Sequence, residues 1–100
     1  MRKEAYAEWL TDKIKPKSIK DRISRCGAVE KALGIALDKE YKRDGGAAVL
    51  KKLDYTLRDL HAGKQFPKEF TFKNADTVVQ RMTDLRSATR QYFLFCGEKK

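Results

Sequence analysis

The stretch that decides the fold is VVQRMTDLRSATRQYFLFC, residues 78–96. Its apolar residues recur at every third or fourth position, the spacing that puts side chains on one face of an α-helix. The residues on that face are Val78, Met82, Leu85, Thr89, Tyr92, Phe93 and Cys96. We predict a long helix that begins at Asn74 or Asp76, ends at Gly97 and buries this face.

The N-terminal third of the chain has the same helical period. A first helix is predicted over residues 3–13, and Pro16 blocks its continuation because the proline ring disfavours a helical conformation at Lys15. A second helix is predicted to start with Ser18 as its N-cap. It should end at Gly34, since glycine suits the left-handed conformation that commonly follows a helix.

The middle of the chain gives a mixed signal. A single helical turn is predicted over residues 38–43, and Asp44 is predicted to cap a third main helix that Gly63 ends. The apolar residues of that helix are Val49, Leu50, Leu53, Leu57 and Leu60. The following segment GKQFPKEFTFKN, residues 63–74, is predicted to be a long loop that Phe66, Phe70 and Phe72 pin to the core. These elements predict an all-α fold, with four main helices in an orthogonal bundle, a short extra turn and a long loop before the last helix.

Length and charge limit the class of protein. One hundred residues suit a single domain. A net charge of +9 either serves solubility or indicates an anionic partner, most commonly nucleic acid. The excess is concentrated in residues 11–26 and 63–100, which each carry a net charge of +4. No apolar run approaches the ~18 residues of a membrane span, and the cysteine usage fits a reducing cytoplasm.

Catalytic constellations are not evident in the sequence. His61 is the only histidine, and Cys26 and Cys96 lie on apolar stripes, where we expect buried, unreactive thiols. A metal-dependent nuclease is a remote alternative, suggested only by Asp38, Glu40 and Lys42 in DKEYK. We expect no enzymatic activity, no metal and no cofactor.

The candidate binding residues begin in KPKSIKDRISRC, residues 15–26. On an ideal helix Ser18, Arg22 and Arg25 lie within about 60° of one another, so two arginines and a hydroxyl can face one ligand. The competing interpretation is that these charges solubilise the helix and that Arg22 lays its stem on the core and pairs with Glu30 or with an acid elsewhere. The candidate nucleic-acid contacts are Lys15, Lys17, Ser18, Lys20, Arg22, Arg25, Arg86 and Arg90.

Three segments carry a family resemblance: YAEWL at residues 6–10, KPKS at 15–18 and TDLRSATRQYFLFC at 83–96. With them the chain resembles the N-terminal core-binding, or SAM-like, domain of phage integrases and other tyrosine recombinases over almost its whole length. The resemblance implies DNA contacts from the serine-started basic helix and a last helix that ends in an aromatic pair, here Tyr92 with Phe93 and Phe95. Nothing matches the recombinase catalytic domain, so the resemblance implies binding without cutting or joining.

The leading hypothesis is therefore a basic helical DNA-binding domain of mobile-element or phage type, which contacts the duplex backbone through the start of the second helix and the last helix. The alternative is a protein-protein interaction adaptor that uses a basic docking surface or the phenylalanine loop. The sequence leaves open the target sequence, DNA versus RNA and the oligomeric state.

Overall fold

The structure is a computed structural model that describes residues 1–65, 69–70 and 77–98. Within these ranges the regular secondary structure is helical and there is no strand, which confirms the all-α prediction. The helices are α1 (Lys3–Leu10), α2 (Pro16–Leu33), α3 (Leu37–Asp44), α4 (Ala47–Lys52), α5 (Leu57–His61) and α6 (Val78–Glu98). None of these helices has both the length and the apolar character needed to cross a membrane.

The boundary between α1 and α2 lies near Pro16, but two details differ from the prediction. α1 ends at Leu10, and residues 11–13 form a turn in which the Lys13 amide bonds the Leu10 carbonyl at 2.9 Å. α2 begins at Pro16 with extended Lys15 as its N-cap, so the prediction that Ser18 is the N-cap was wrong. Proline fits the first helical position because its φ is already helical and it has no N–H to satisfy.

The middle of the chain contains three short helices where one turn and one main helix were predicted. The predicted turn is a full helix, α3, and the predicted third helix is divided into α4 and α5 by residues 53–56. Thr56 and Asp59 form a capping box, in which the Asp59 amide donates to the Thr56 hydroxyl and the Thr56 amide donates to the Asp59 carboxylate. That box starts a new helix with its own orientation, which leaves Leu57 55% exposed.

Two other predictions about helix ends are confirmed. The Asp44 carboxylate accepts hydrogen bonds from the amides of Gly46 and Ala48, at 2.9 and 3.1 Å, and so caps the start of α4. Gly34 follows α2 with a φ of +65°. α6, in contrast, continues through Gly97 to Glu98, so Gly97 does not end it. The predicted start at Asn74 or Asp76 lies outside the described residues, as do Phe66 and Phe72.

α6 is the central element of the core. All seven residues predicted for its buried face are buried, and Ala88 and Phe95 are buried with them. On one side the Tyr6 ring packs at 5.0 Å from Tyr92 and 5.4 Å from Phe95. On the other side Phe93 packs against Tyr41 of α3 at 6.1 Å. α6 therefore packs against α1, α2, α3 and α4.

A polar network joins the start of the chain to α3 and α6. The Tyr92 hydroxyl donates to Asp38 Oδ1 at 2.7 Å and accepts from the Arg2 amide at 2.9 Å. The Arg2 guanidinium lies 3.2 Å from the same Asp38 oxygen. Desolvation alone raises the pKa of Asp38, but the Tyr92 hydrogen bond and the charges of the amino terminus and Arg2 outweigh it. The pKa of Asp38 therefore lies below its ordinary value.

Candidate nucleic-acid interface

The predicted contacts on α2 fall into two groups by exposure. Lys15, Lys17 and Lys20 are exposed, whereas Ser18, Arg22 and Arg25 are half-buried. The half-buried group lies beside the face that α2 buries against the core through Cys26 and Val29. The first turns of the helix therefore present solvated lysines on one side and partly covered arginines on the other.

The candidate side chains make no polar contacts with the part of the chain that the structure describes. Across the described part of the chain, none of the eight has a side-chain hydrogen bond or an ion pair within 4.0 Å. The ion pairs between side chains lie elsewhere, in Arg2–Asp38, Lys13–Asp12, Arg43–Glu40, Arg43–Asp44, Lys52–Glu69 and Lys64–Asp59. The positive charge at the start of α2 is consequently not neutralised by any acidic side chain in these ranges.

Glu30 does not pair with Arg22, so that part of the competing interpretation was wrong. Its Oε2 accepts a hydrogen bond from the Leu37 amide at 2.9 Å and lies 3.3 Å from the amino-terminal nitrogen. Both contacts point away from the first turns of α2, because Glu30 lies two turns beyond Arg22. The carboxylate thus anchors the start of α3, and Arg22 is left without an acidic partner.

Arg22 lies near the junction of α1, α2 and α6. The Tyr6 hydroxyl and the Cys26 thiol both donate to the Ala88 carbonyl at 3.4 Å. Burial raises the pKa of Cys26 to about 12 and also raises the pKa of Tyr6, while the charge of Arg22 opposes both increases. Arg22 lies one turn before Cys26 on α2 and about 40° from it on an ideal helix, which places it beside this junction.

The two arginines of α6 lie on a different flank. On an ideal helix Arg86 and Arg90 are about 20° and 60° from Phe93, but both are about 160° from Ala88. Phe93 faces α3, and the Ala88 carbonyl faces α1 and α2. The contacts therefore do not bring Arg86 and Arg90 together with the cations of α2. Arg86 is half-buried, and its Nε is buried with no hydrogen-bond partner.

The residues considered for catalysis are used structurally. Asp38 is held by Arg2 and Tyr92, and Glu40 lies 3.0 Å from Arg43, so the two carboxylates do not converge on a common ligand. Within the described ranges no group of three or more metal-ligating side chains is assembled. Both cysteines are free and buried, as predicted, and burial also raises the pKa of Cys96.

The sequence interpretation missed a groove between α1 and the end of α6. Its aromatic wall is made by Trp9 and Phe95, and each ring carries a cation: Lys13 lies 4.3 Å from Trp9 and Arg2 lies 4.8 Å from Phe95. In the sequence, Lys13 follows Trp9 by four residues at the end of a helix, a spacing that allows the lysine to lie over the ring. The contacts of Arg2 could not be predicted from local spacing, because its partners lie more than thirty residues away in sequence.

Comparison with known proteins adds no identification. The chain matches no protein-family model, no curated protein and no solved structure. Its function has to be inferred from the charge, exposure and contacts of its own residues.

Proposed function

We propose that this protein binds double-stranded DNA through the phosphate backbone. The main contact is the start of α2, with Lys15, Lys17, Ser18, Lys20, Arg22 and Arg25. Arg86 and Arg90 of α6 form a second, separate contact. The protein holds the duplex and does not cut it.

One observation carries this proposal: the cations at the start of α2 are unpaired. Between residues 15 and 25 there are five basic residues and one acidic residue, Asp21. No basic side chain in this stretch has an ion pair with a described residue. A surface of uncompensated positive charge attracts a polyanion, and binding releases the counterions condensed on it.

The aromatic residues favour a duplex over a single strand. Proteins that bind single strands stack bases on exposed aromatic rings. Every aromatic side chain among the described residues is buried or half-buried, and Trp9 and Phe95 already carry internal cations. A backbone-directed, sequence-tolerant contact with duplex DNA fits this surface better than base stacking.

The test is a charge reversal with a matched control. Lys17→Glu/Lys20→Glu changes two exposed residues of α2, and Lys39→Glu/Lys42→Glu makes the same change in net charge on the exposed side of α3. Fluorescence anisotropy of a labelled duplex measures Kd at several salt concentrations. We expect the α2 variant to make the negative slope of log K against log salt shallower by roughly 1.8, because two phosphate contacts are lost. The α3 variant should retain the slope of the unmodified protein.

Three results would contradict the proposal. The first is no binding of duplex at low salt, and the second is binding that persists undiminished at high salt. The third is an equal effect of the two double variants, which would mean that only net charge matters. Binding to an acidic protein partner without binding to nucleic acid would instead support the adaptor.

A further inference from the structure

Arg22 is half-buried, beside the face that α2 packs against the core. On an ideal helix it points within about 20° of Val29 and about 40° of Cys26, and both of these residues are 0% exposed. Its charge acts on Tyr6 and Cys26 at the junction of α1, α2 and α6. Lys15, Lys17 and Lys20, in contrast, are exposed, and none of them has a side-chain hydrogen bond or ion pair with a described residue.

The guanidinium of Arg22 nevertheless reaches solvent. Its nitrogen atoms are not among the buried, unpartnered polar atoms of the described residues, although the residue as a whole is half-buried. The aliphatic stem therefore lies on the core and the charged head lies at the surface. Such a side chain loses little conformational freedom when it binds a ligand, because packing has already restricted it.

No side chain among the described residues accepts a hydrogen bond from Arg22 or forms an ion pair with it. Glu30, the partner expected from the sequence, is used by the Leu37 amide and the amino terminus. Ser18 lies one turn before it and Arg25 nearly one turn after it, and neither side chain has a partner among the described residues. Two planar guanidinium groups and a hydroxyl on one side of a helix match the oxygens of a single phosphate group.

We infer that Arg22, flanked by Ser18 and Arg25, holds one phosphate of the DNA backbone in a fixed orientation, whereas Lys15, Lys17 and Lys20 supply attraction without fixed geometry. This inference rests on the proposed function, since it assigns roles within the same surface. One phosphate held in a defined orientation sets the position of α2 along the duplex.

The test exchanges arginine and lysine in both directions, so that charge stays constant. Arg22→Lys keeps the charge but loses the planar pair of donors, and the control Lys39→Arg makes the reverse exchange at an exposed position of α3, outside the proposed contact. Anisotropy titrations of a labelled duplex give Kd and the salt slope for each variant. We expect Arg22→Lys to weaken binding by roughly tenfold or more with an unchanged salt slope. Lys39→Arg should stay within about twofold of the unmodified protein.

The outcomes separate this inference from the function on which it rests. If the unmodified protein binds duplex and Arg22→Lys binds equally well, the inference is wrong and the proposed function stands. If the unmodified protein does not bind duplex, both fall. If circular dichroism shows that Arg22→Lys does not fold, Ser18→Ala decides. That variant should weaken binding by roughly threefold or more at an unchanged slope, and undiminished binding would overturn the inference.

Discussion

Adding one methyl group at Gly46, by the substitution Gly46→Ala, tests the packing of α4 against α6. Its φ is +85°, a left-handed conformation that costs other residues about 1–2 kcal/mol. A Cβ atom here would lie 2.5 Å from Cδ2 and 2.6 Å from Cζ of Phe93. The Phe93 ring is 5% exposed and packs against Tyr41, so it has little room to move away.

We expect Gly46→Ala to lower the free energy of unfolding by about 2–5 kcal/mol. About 1–2 kcal/mol of this comes from the backbone conformation and about 1–3 kcal/mol from overpacking against Phe93. Urea titration followed by far-UV circular dichroism measures the loss, with the denaturant slope as a check that unfolding stays two-state. A loss of this size is a large part of the stability of a small domain.

The neighbouring Gly45 provides a matched control. It also has a positive φ, +71°, but a Cβ atom there would meet no atom within 4 Å. Gly45→Ala should therefore cost only the conformational part, about 1–2 kcal/mol. Equal losses in the two variants would refute the reasoning, because they would mean that the Phe93 ring moves aside at no cost.

Two other predictions concern ionisable groups. The pKa of Asp38 is depressed in the folded protein, so its interactions contribute stability above the unfolded pKa of about 3.9, and that contribution is lost as pH falls through the folded pKa. Tyr92→Phe removes the hydroxyl that donates to Asp38. We expect it to lower the free energy of unfolding by about 1–3 kcal/mol at neutral pH, and by less as the pH falls below about 4. A loss that does not change with pH would contradict this origin. The second prediction is that Cys26, whose pKa is raised to about 12 by burial, does not react with a thiol-specific reagent at pH 8 until the protein unfolds. Labelling at the rate of a free thiol in the native protein would show that the α2–α6 contact is open.

The last helix was predictable because it buries a wide face over its whole length. Every residue placed on that face by its period is buried, from Val78 to Cys96. The break within the predicted third helix was missed because Leu53, Leu57 and Leu60 keep a helical spacing across it. Thr56 and Asp59 have the spacing of a capping box, which indicates the start of a new helix. In the structure this box begins α5, although the apolar spacing continues across the break.

The candidate site was only partly predictable, for a related reason. The period of α2 correctly put Ser18, Arg22 and Arg25 on one side of the helix, since that depends only on local geometry. The partners of Glu30 are the Leu37 amide and the amino terminus. Neither could be predicted from the helical period of α2. The relation of Arg86 and Arg90 to α2 depended on which flank of α6 packs against which helix, and that is decided by tertiary structure.

The position of Trp9 offers a spectroscopic view of this fold. It is the only tryptophan in the chain, and its ring lies 6.1 Å from Tyr6 and 5.7 Å from Phe95 at the contact between α1 and α6. Its emission therefore reports whether these two helices are docked, while circular dichroism reports how much helix remains. In a denaturant titration the two signals coincide if the domain unfolds as one cooperative unit. If α1 detaches first, the emission changes at a lower denaturant concentration than the circular dichroism.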